Sequence, residues 1–112
     1  MNTLDDENLE YARAELVKIA KRMIDGEIRP LLGARLLCPN ANRLKQEIGH
    51  EAWQIIVGVD SESDHLPIGT ERELWATEAL REKDKIAADY EQRVRNDLLQ
   101  VAKELLAQFS KH

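Results

Sequence analysis

The sequence predicts an all-α fold, a small helical bundle with long helices at both ends of the chain and short helices between them. Only three prolines and five glycines occur in 112 residues, and four of the glycines lie between residues 26 and 58, so both ends of the chain are free of helix breakers. Aromatic residues make up 4% of the chain, which leaves Leu, Ile, Val and Ala to form the core. The length suits a single domain, residues 1–112, with one hydrophobic core.

The first predicted helix runs from about Asp5 to Asp25. Lysine and arginine are concentrated in its last turns, where they interact favourably with the helix dipole, and Gly26 is the expected stop. Its apolar residues recur at spacings of three and four and therefore form one stripe along the helix: Leu9, Ala12, Leu16, Ile19, Ala20 and Met23.

Short helical segments are predicted in the middle of the chain. A helix begins near Pro30 and should end at Pro39, because the residue before a proline is pushed out of the helical conformation. The next should extend over residues 40–48, with Gly49 as its stop. The stretch "HEAWQIIVGVD" that follows fits either a buried strand or a helix, and we favour a helix because a lone strand would have no partner.

The last part of the chain predicts one long helix. "TERELW" is expected to form one or two turns after Pro67 and Gly69. From Glu78 to Phe109 there is no glycine or proline, so we expect a helix of about 32 residues, or about 48 Å. Apolar residues are sparse before Tyr90 and dense after it, so the C-terminal half should be packed and the N-terminal half partly exposed. This helix also offers a surface for self-association.

The acidic residues are concentrated in residues 60–91. This stretch holds ten acidic residues against four basic ones, in a chain with a net charge of −5. Such a patch disfavours binding to nucleic acid and favours attraction to a basic protein. A plainer interpretation is that these charges only keep a small protein soluble. The residues expected to bind the partner are Asp60, Glu62, Asp64, Glu71, Glu73, Glu78, Glu82 and Asp84.

The compartment is predicted from the single cysteine and from the first residues. Cys38 has no second cysteine to pair with, so a reducing compartment is expected. It lies in an apolar run without a nearby cation, which favours a small core residue over a reactive thiol. The first ten residues are acidic and polar, unlike a signal peptide, and no apolar run is long enough to span a bilayer. We therefore expect a cytoplasmic protein without membrane association.

The stretch "VDSESDHLP", residues 59–67, partly matches a calcium-binding loop. His65 stands where the sharp turn needs glycine, and Pro67 has no amide to donate, so we predict no calcium site. The ligand positions 1, 3, 5 and 12, counted from the first aspartate, are nevertheless all acidic: Asp60, Glu62, Asp64 and Glu71.

A local structural role for the same stretch is the second interpretation. Aspartate and serine side chains bond to nearby backbone amides, so Asp60 is expected to fix a turn before the next helix. Apolar residues around it would then anchor the segment in the core: Leu66, Ile68, Leu74 and Trp75.

Residues for catalysis are missing. The three histidines lack the i, i+4 pairing of a zinc site, and no phosphate loop, dinucleotide motif or nucleophile elbow is present. Glu7 and Glu10 form one E-x-x-E pair of the kind that all-helical nucleotide pyrophosphohydrolases use to bind magnesium, but no E-x-x-D follows. We therefore predict no enzyme activity, no metal and no cofactor.

The segment "VDSESDHLPIGTERELWATEALREKD" resembles a group of small bacterial proteins of unassigned function. In that group a D-S-E-x-D-x-L-P-x-G stretch is followed by R-x-x-W and a long helix. The resemblance covers about the central quarter of the chain and implies a bacterial cytosolic protein with a family-specific role for the acidic turn, without an activity. The matching positions are Asp60, Ser61, Glu62, Asp64, Leu66, Pro67, Gly69, Arg72 and Trp75.

Two functional hypotheses remain. The first is a protein-binding module whose acidic surface engages a basic partner. In size, helical class and charge the chain is similar to the acidic immunity proteins that neutralise bacterial nuclease toxins, which makes such a toxin the most concrete partner. The second is a small regulatory domain that binds a metal or a small molecule. Convergent, partly buried carboxylates would favour the second hypothesis, and splayed, exposed carboxylates the first.

Overall fold

The computed structural model describes residues 3–110, and the side chains of residues 6–110, as an all-α fold. Its five α-helices are α1 (Thr3–Ile24), α2 (Pro30–Arg43), α3 (Lys45–Ile48), α4 (His50–Ser63) and α5 (Thr77–Phe109). A short 3-10 helix, Thr70–Leu74, lies between α4 and α5. The prediction of long terminal helices with shorter ones between them is confirmed. Within the described range, no helix has both the length and the apolar character needed to cross a membrane.

α1 packs antiparallel to the C-terminal half of α5. Met23, near the end of α1, lines a recess together with Leu99. Arg13, three turns earlier in α1, pairs with Glu47. The Glu47 carbonyl accepts a hydrogen bond from Gln108, at the C-terminal end of α5. The predicted stripe of α1 faces this contact. The buried residues of the two helices are Ala12, Leu16, Ile19, Ala20 and Met23 on α1, and Leu98, Val101, Ala102 and Leu105 on α5.

α2 and α4 complete the core on one side of this pair. α2 packs against α1 and α4, and the buried residues of α1, α2, α4 and α5 belong to one contiguous cluster. Gly33 of α2 lies directly against α1, since a Cβ atom at this position would overlap the side chain of Met23. The absence of a side chain at Gly33 therefore allows the two helices to pack closely.

α2 continues through Pro39 to Arg43, so the prediction that Pro39 ends the helix is wrong. A proline in a helix interior removes one hydrogen bond and costs about 3 kcal/mol. The last turn forms because Ala41 and Leu44 are buried, and the Leu44 amide donates to the Asn40 carbonyl at 3.0 Å. The helix predicted over residues 40–48 is consequently divided between α2 and α3.

The two turns predicted from glycine are confirmed. Gly26 and Gly49 have φ values of 78° and 90°, in the left-handed region that favours glycine. The ambiguous stretch after Gly49 is α4, as favoured over a strand.

α5 differs strongly between its two halves. Before Tyr90 only Ala87 is buried, whereas the buried residues Leu98, Val101 and Leu105 follow it. The expected contrast between a packed C-terminal half and a partly exposed N-terminal half is therefore confirmed. The first half extends from the core beside the segment that links α4 to α5, and this is where the acidic residues lie.

Candidate functional site

Residues 60–64 form the C-terminal end of α4 and its C-cap, and not the start of a helix. Asp60 lies within α4, so the prediction that its side chain fixes a local turn is wrong. Its carboxylate is 4.0 Å from Nε of Arg35 on α2. The local hydrogen bond is made by Ser63 instead, whose buried hydroxyl donates to the Val59 carbonyl at 2.7 Å. Carboxylates are disfavoured at a helix C-terminus, which indicates that this end needs a cation from elsewhere in the chain.

Arg35 supplies this cation. Its Nη2 donates to the backbone carbonyls of Ser63 (2.8 Å) and Leu66 (3.1 Å), and its Nη1 donates to Oε1 of Glu71 at 2.7 Å. The last carbonyls of a helix have no partner within the helix, so the guanidinium group satisfies acceptors at the end of α4. Arg35 is not among the residues predicted from the sequence. No local signal could reveal it, because its acceptors lie 28 to 36 residues further along the chain.

Glu71 has a structural role in the segment after α4. Its Oε1 accepts from Arg35 and also from the Gly69 amide at 3.2 Å. A hydrogen bond from its own amide, and then those from the Gly69 amide and Arg35, lower the pKa of the Glu71 carboxyl group against the opposing effect of burial. Glu71 is the residue that would complete a calcium loop, and here it is already occupied by protein donors.

A second arginine joins the 3-10 helix to α5. Both terminal nitrogens of Arg72 donate to the Asp84 carboxylate, and Nη1 also donates to the Pro67 carbonyl at 3.0 Å. The pairing lowers the pKa of Asp84 and raises the pKa of Arg72. This two-point contact sets the position of the 3-10 helix against the first half of α5.

The apolar residues of the segment separate into a buried and an exposed pair. Leu66 and Ile68 are buried, as predicted. Leu74 is 88% exposed and Trp75 is 36% exposed, so the prediction that they anchor the segment in the core is wrong. The two arginine contacts already hold the segment in place, and the 3-10 helix buries none of its residues.

The eight predicted partner-binding residues therefore form two groups. We call Asp60, Glu71 and Asp84 the paired carboxylates, because an arginine lies within 4.0 Å of each. The other five are exposed, and among the described residues no charged lysine or arginine nitrogen lies within 4.0 Å of their carboxylate oxygens. We call them the exposed carboxylates: Glu62, Asp64, Glu73, Glu78 and Glu82.

Two titratable groups border α4. Burial, and then the neighbouring Asp60, raise the pKa of the half-buried Cys38 thiol, which favours its neutral, unreactive form. Burial, and then the neighbouring Glu62, raise the pKa of the Tyr90 hydroxyl. Across residues 6–110, no three or more His, Cys, Asp or Glu side chains are grouped so that they could hold a metal ion.

No family model matches the chain, and searches of curated proteins and of solved structures found no match.

Proposed function

We propose that this chain is a protein-binding module that engages a basic protein partner through the exposed carboxylates and the apolar pair Leu74 and Trp75. The observation that carries the proposal is the exposure of this pair in a segment fastened by Arg35 and Arg72. Tryptophan is enriched among the residues that dominate binding energies, and a rigid segment loses little entropy on binding.

The charges next to the apolar pair support a basic partner. Glu73 precedes Leu74, and Glu78 follows Trp75 by three residues; both are exposed. An apolar centre with a charged rim is the usual arrangement of a transient protein interface. Carboxylates on this rim would attract a cationic partner and accelerate association. A nuclease, whose active site is built to bind phosphates, is the most concrete candidate.

The arrangement of the exposed carboxylates favours binding to a protein over binding to a metal or small molecule. A metal or small-molecule site would need carboxylates that converge, whereas the five exposed ones extend from the end of α4 to the second turn of α5. We also propose a bacterial cytoplasmic setting. The single cysteine, which has no second cysteine among the 112 residues to form a disulfide, supports a reducing compartment.

Affinity capture with charge-reversed variants tests the proposal. The immobilised chain is exposed to a lysate of the organism that encodes it, alongside the double variant Glu73→Lys, Glu82→Lys. Both positions are exposed, so the melting temperature should stay close to that of the wild type. We expect the wild type to capture one basic protein that the variant does not retain and that about 0.5 M salt releases, because salt screens exposed charges.

The matched control is Asp97→Lys with Glu104→Lys. It makes the same charge change at exposed positions on the C-terminal half of α5. This control should capture the partner like the wild type. Equal loss of capture in both variants would show that only the net charge of the chain matters, and not the position of the carboxylates. Equal capture by all three proteins would contradict the proposal.

A further inference from the structure

A groove of about 520 Å³ lies between α2 and the segment that follows α4. One wall is formed by Leu32 and Leu36, which are one helical turn apart on α2. The other wall is formed by residues 68–70, and Arg35 and Glu71 complete the lining. Leu36 is 38% exposed, so the groove presents apolar surface to solvent. Its volume is within the range of sites that bind ligands.

The two charged side chains that line the groove are already hydrogen-bonded within the protein. The two terminal nitrogens of Arg35 donate to two carbonyls and to Glu71. Glu71 in turn accepts from Arg35 and from the Gly69 amide. A polar ligand would have to displace these hydrogen bonds, whereas an apolar side chain could cover Leu32 and Leu36 without disturbing them.

The surroundings of the groove carry negative charge. The wall at residues 68–70 continues within three residues to the exposed Glu73. Before this wall in the chain, the exposed Asp64 follows Ser63, whose carbonyl accepts a hydrogen bond from the groove-lining Arg35. The segment that forms this wall therefore carries an exposed carboxylate before and after its groove-lining residues. A second copy of this chain, with its net charge of −5, is poorly matched to that environment.

We infer that the groove receives a large apolar side chain from a basic segment of the partner, with lysine or arginine next to that side chain. This inference rests on the proposed function and specifies the chemistry of the partner. The apolar anchor enters the groove that Leu36 and Ile68 line. Its basic neighbours pair with the exposed Asp64 and Glu73, which precede and follow the lining segment. Charge attracts the segment, and burial of the anchor determines how tightly it is held.

Three synthetic peptides test the inference by amide chemical-shift mapping on the full-length, isotope-labelled chain. The first places leucine among lysines at spacings of three and four so that one helical face is apolar; the second replaces leucine with serine; the third replaces lysine with serine. We expect only the leucine–lysine peptide to shift the amides of Leu36, Gly69 and Thr70 at micromolar concentration. The serine–lysine peptide should bind at least about tenfold more weakly and shift mainly the amides near Glu73 and Glu82.

Leu36→Ser and Tyr11→Ser form a matched pair of variants. Both remove an exposed apolar side chain, and Tyr11 lies on α1, away from the groove lining. Leu36→Ser should weaken binding of the leucine–lysine peptide about tenfold and leave binding of the serine–lysine peptide unchanged. Tyr11→Ser should change the binding of neither peptide. The spectra themselves report whether each variant is folded.

Each other outcome overturns the inference in an identifiable way. Equal binding of the two lysine peptides, with shifts only near Glu73 and Glu82, would remove the groove from the interface and leave the proposed function standing. Equal binding of the leucine–serine peptide in the groove would show a general apolar site, suited to a small molecule, and remove the basic partner segment. Absence of shifts in the groove with every peptide would also overturn the inference.

Discussion

The two halves of α5 belong to one uninterrupted helix, yet different interactions hold them in the protein. The C-terminal half is packed against α1 through Leu98, Val101 and Leu105, which are buried. The N-terminal half buries only Ala87, and the Asp84 carboxylate ties it to Arg72. Hydrophobic burial is indifferent to pH and little affected by moderate salt, whereas an exposed ion pair depends on both.

Glu91 lies at the junction between the two halves of α5. Its carboxylate accepts two hydrogen bonds from Arg29, at 3.0 and 3.2 Å, and one from the Leu31 amide at 3.0 Å. The Leu31 amide belongs to the first turn of α2, where no side chain of α2 itself provides a cap. A carboxylate from α5 therefore takes the part of an N-cap for α2.

The comparison shows that a run of acidic residues is not one functional unit. In residues 60–91, Glu71, Asp84 and Glu91 hold elements together, while the exposed carboxylates are available to a partner. The position of an arginine distant in sequence decides which of these carboxylates has a structural role.

Truncating a buried leucine in the C-terminal half should have the largest effect on stability. Leu98→Ala removes a side chain that is fully buried in the core, and we expect the free energy of unfolding to fall by about 3 kcal/mol. Leu80→Ala in the N-terminal half, where the side chain is only partly buried, should cost about 1 kcal/mol. Urea denaturation of both variants measures the difference. Equal losses would mean that the two halves are packed alike.

Removing Arg35 should have the next largest effect, and its site of action is local. Arg35→Ala leaves the carbonyls at the end of α4 and the Glu71 carboxylate without their donor, at a cost of about 2 kcal/mol. Amide hydrogen exchange should accelerate across residues 64–76 and remain slow around Leu98.

Arg35→Lys separates the charge of this residue from its geometry. Lysine keeps the positive charge but cannot present the planar fork that reaches three acceptors, so we expect it to recover less than half of the lost stability. Full recovery would show that charge alone matters at this position.

Acid should produce the smallest effect, confined at first to the polar region. The pKa values of Glu71 and Asp84 are lower in the folded protein than their ordinary values. Their contribution to stability is therefore complete above the ordinary carboxyl pKa, near about 4, and is lost as the pH falls through the lowered folded values. Hydrogen exchange of residues 64–88 should accelerate in this window while that of residues 95–106 remains slow.

Asp84→Asn is the control for this pH dependence. It removes the carboxyl group whose pKa Arg72 lowers, so acid should accelerate exchange in the first turns of α5 less than in the wild type. Simultaneous opening of both halves of α5 at one pH would contradict the conclusion that different interactions hold the two halves.

The sequence by itself determined the elements whose cause is local. The apolar stripe of α1, the absence of helix breakers after residue 77 and the glycines at 26 and 49 depend on the periodicity and the backbone preferences of neighbouring residues. These signals are complete within a few turns of chain. The helical class, the two long terminal helices and the unequal halves of α5 could therefore be predicted from them.

Only the tertiary structure decided the features that depend on distant residues. Pro39 remains inside α2 because burial of Ala41 offsets the lost hydrogen bond. Asp60 faces Arg35 in place of a local amide, and Leu74 stays in solvent because arginines already fasten its segment. In each case the competing interactions are worth a few kcal/mol, and the partner that decides between them is brought close only by folding.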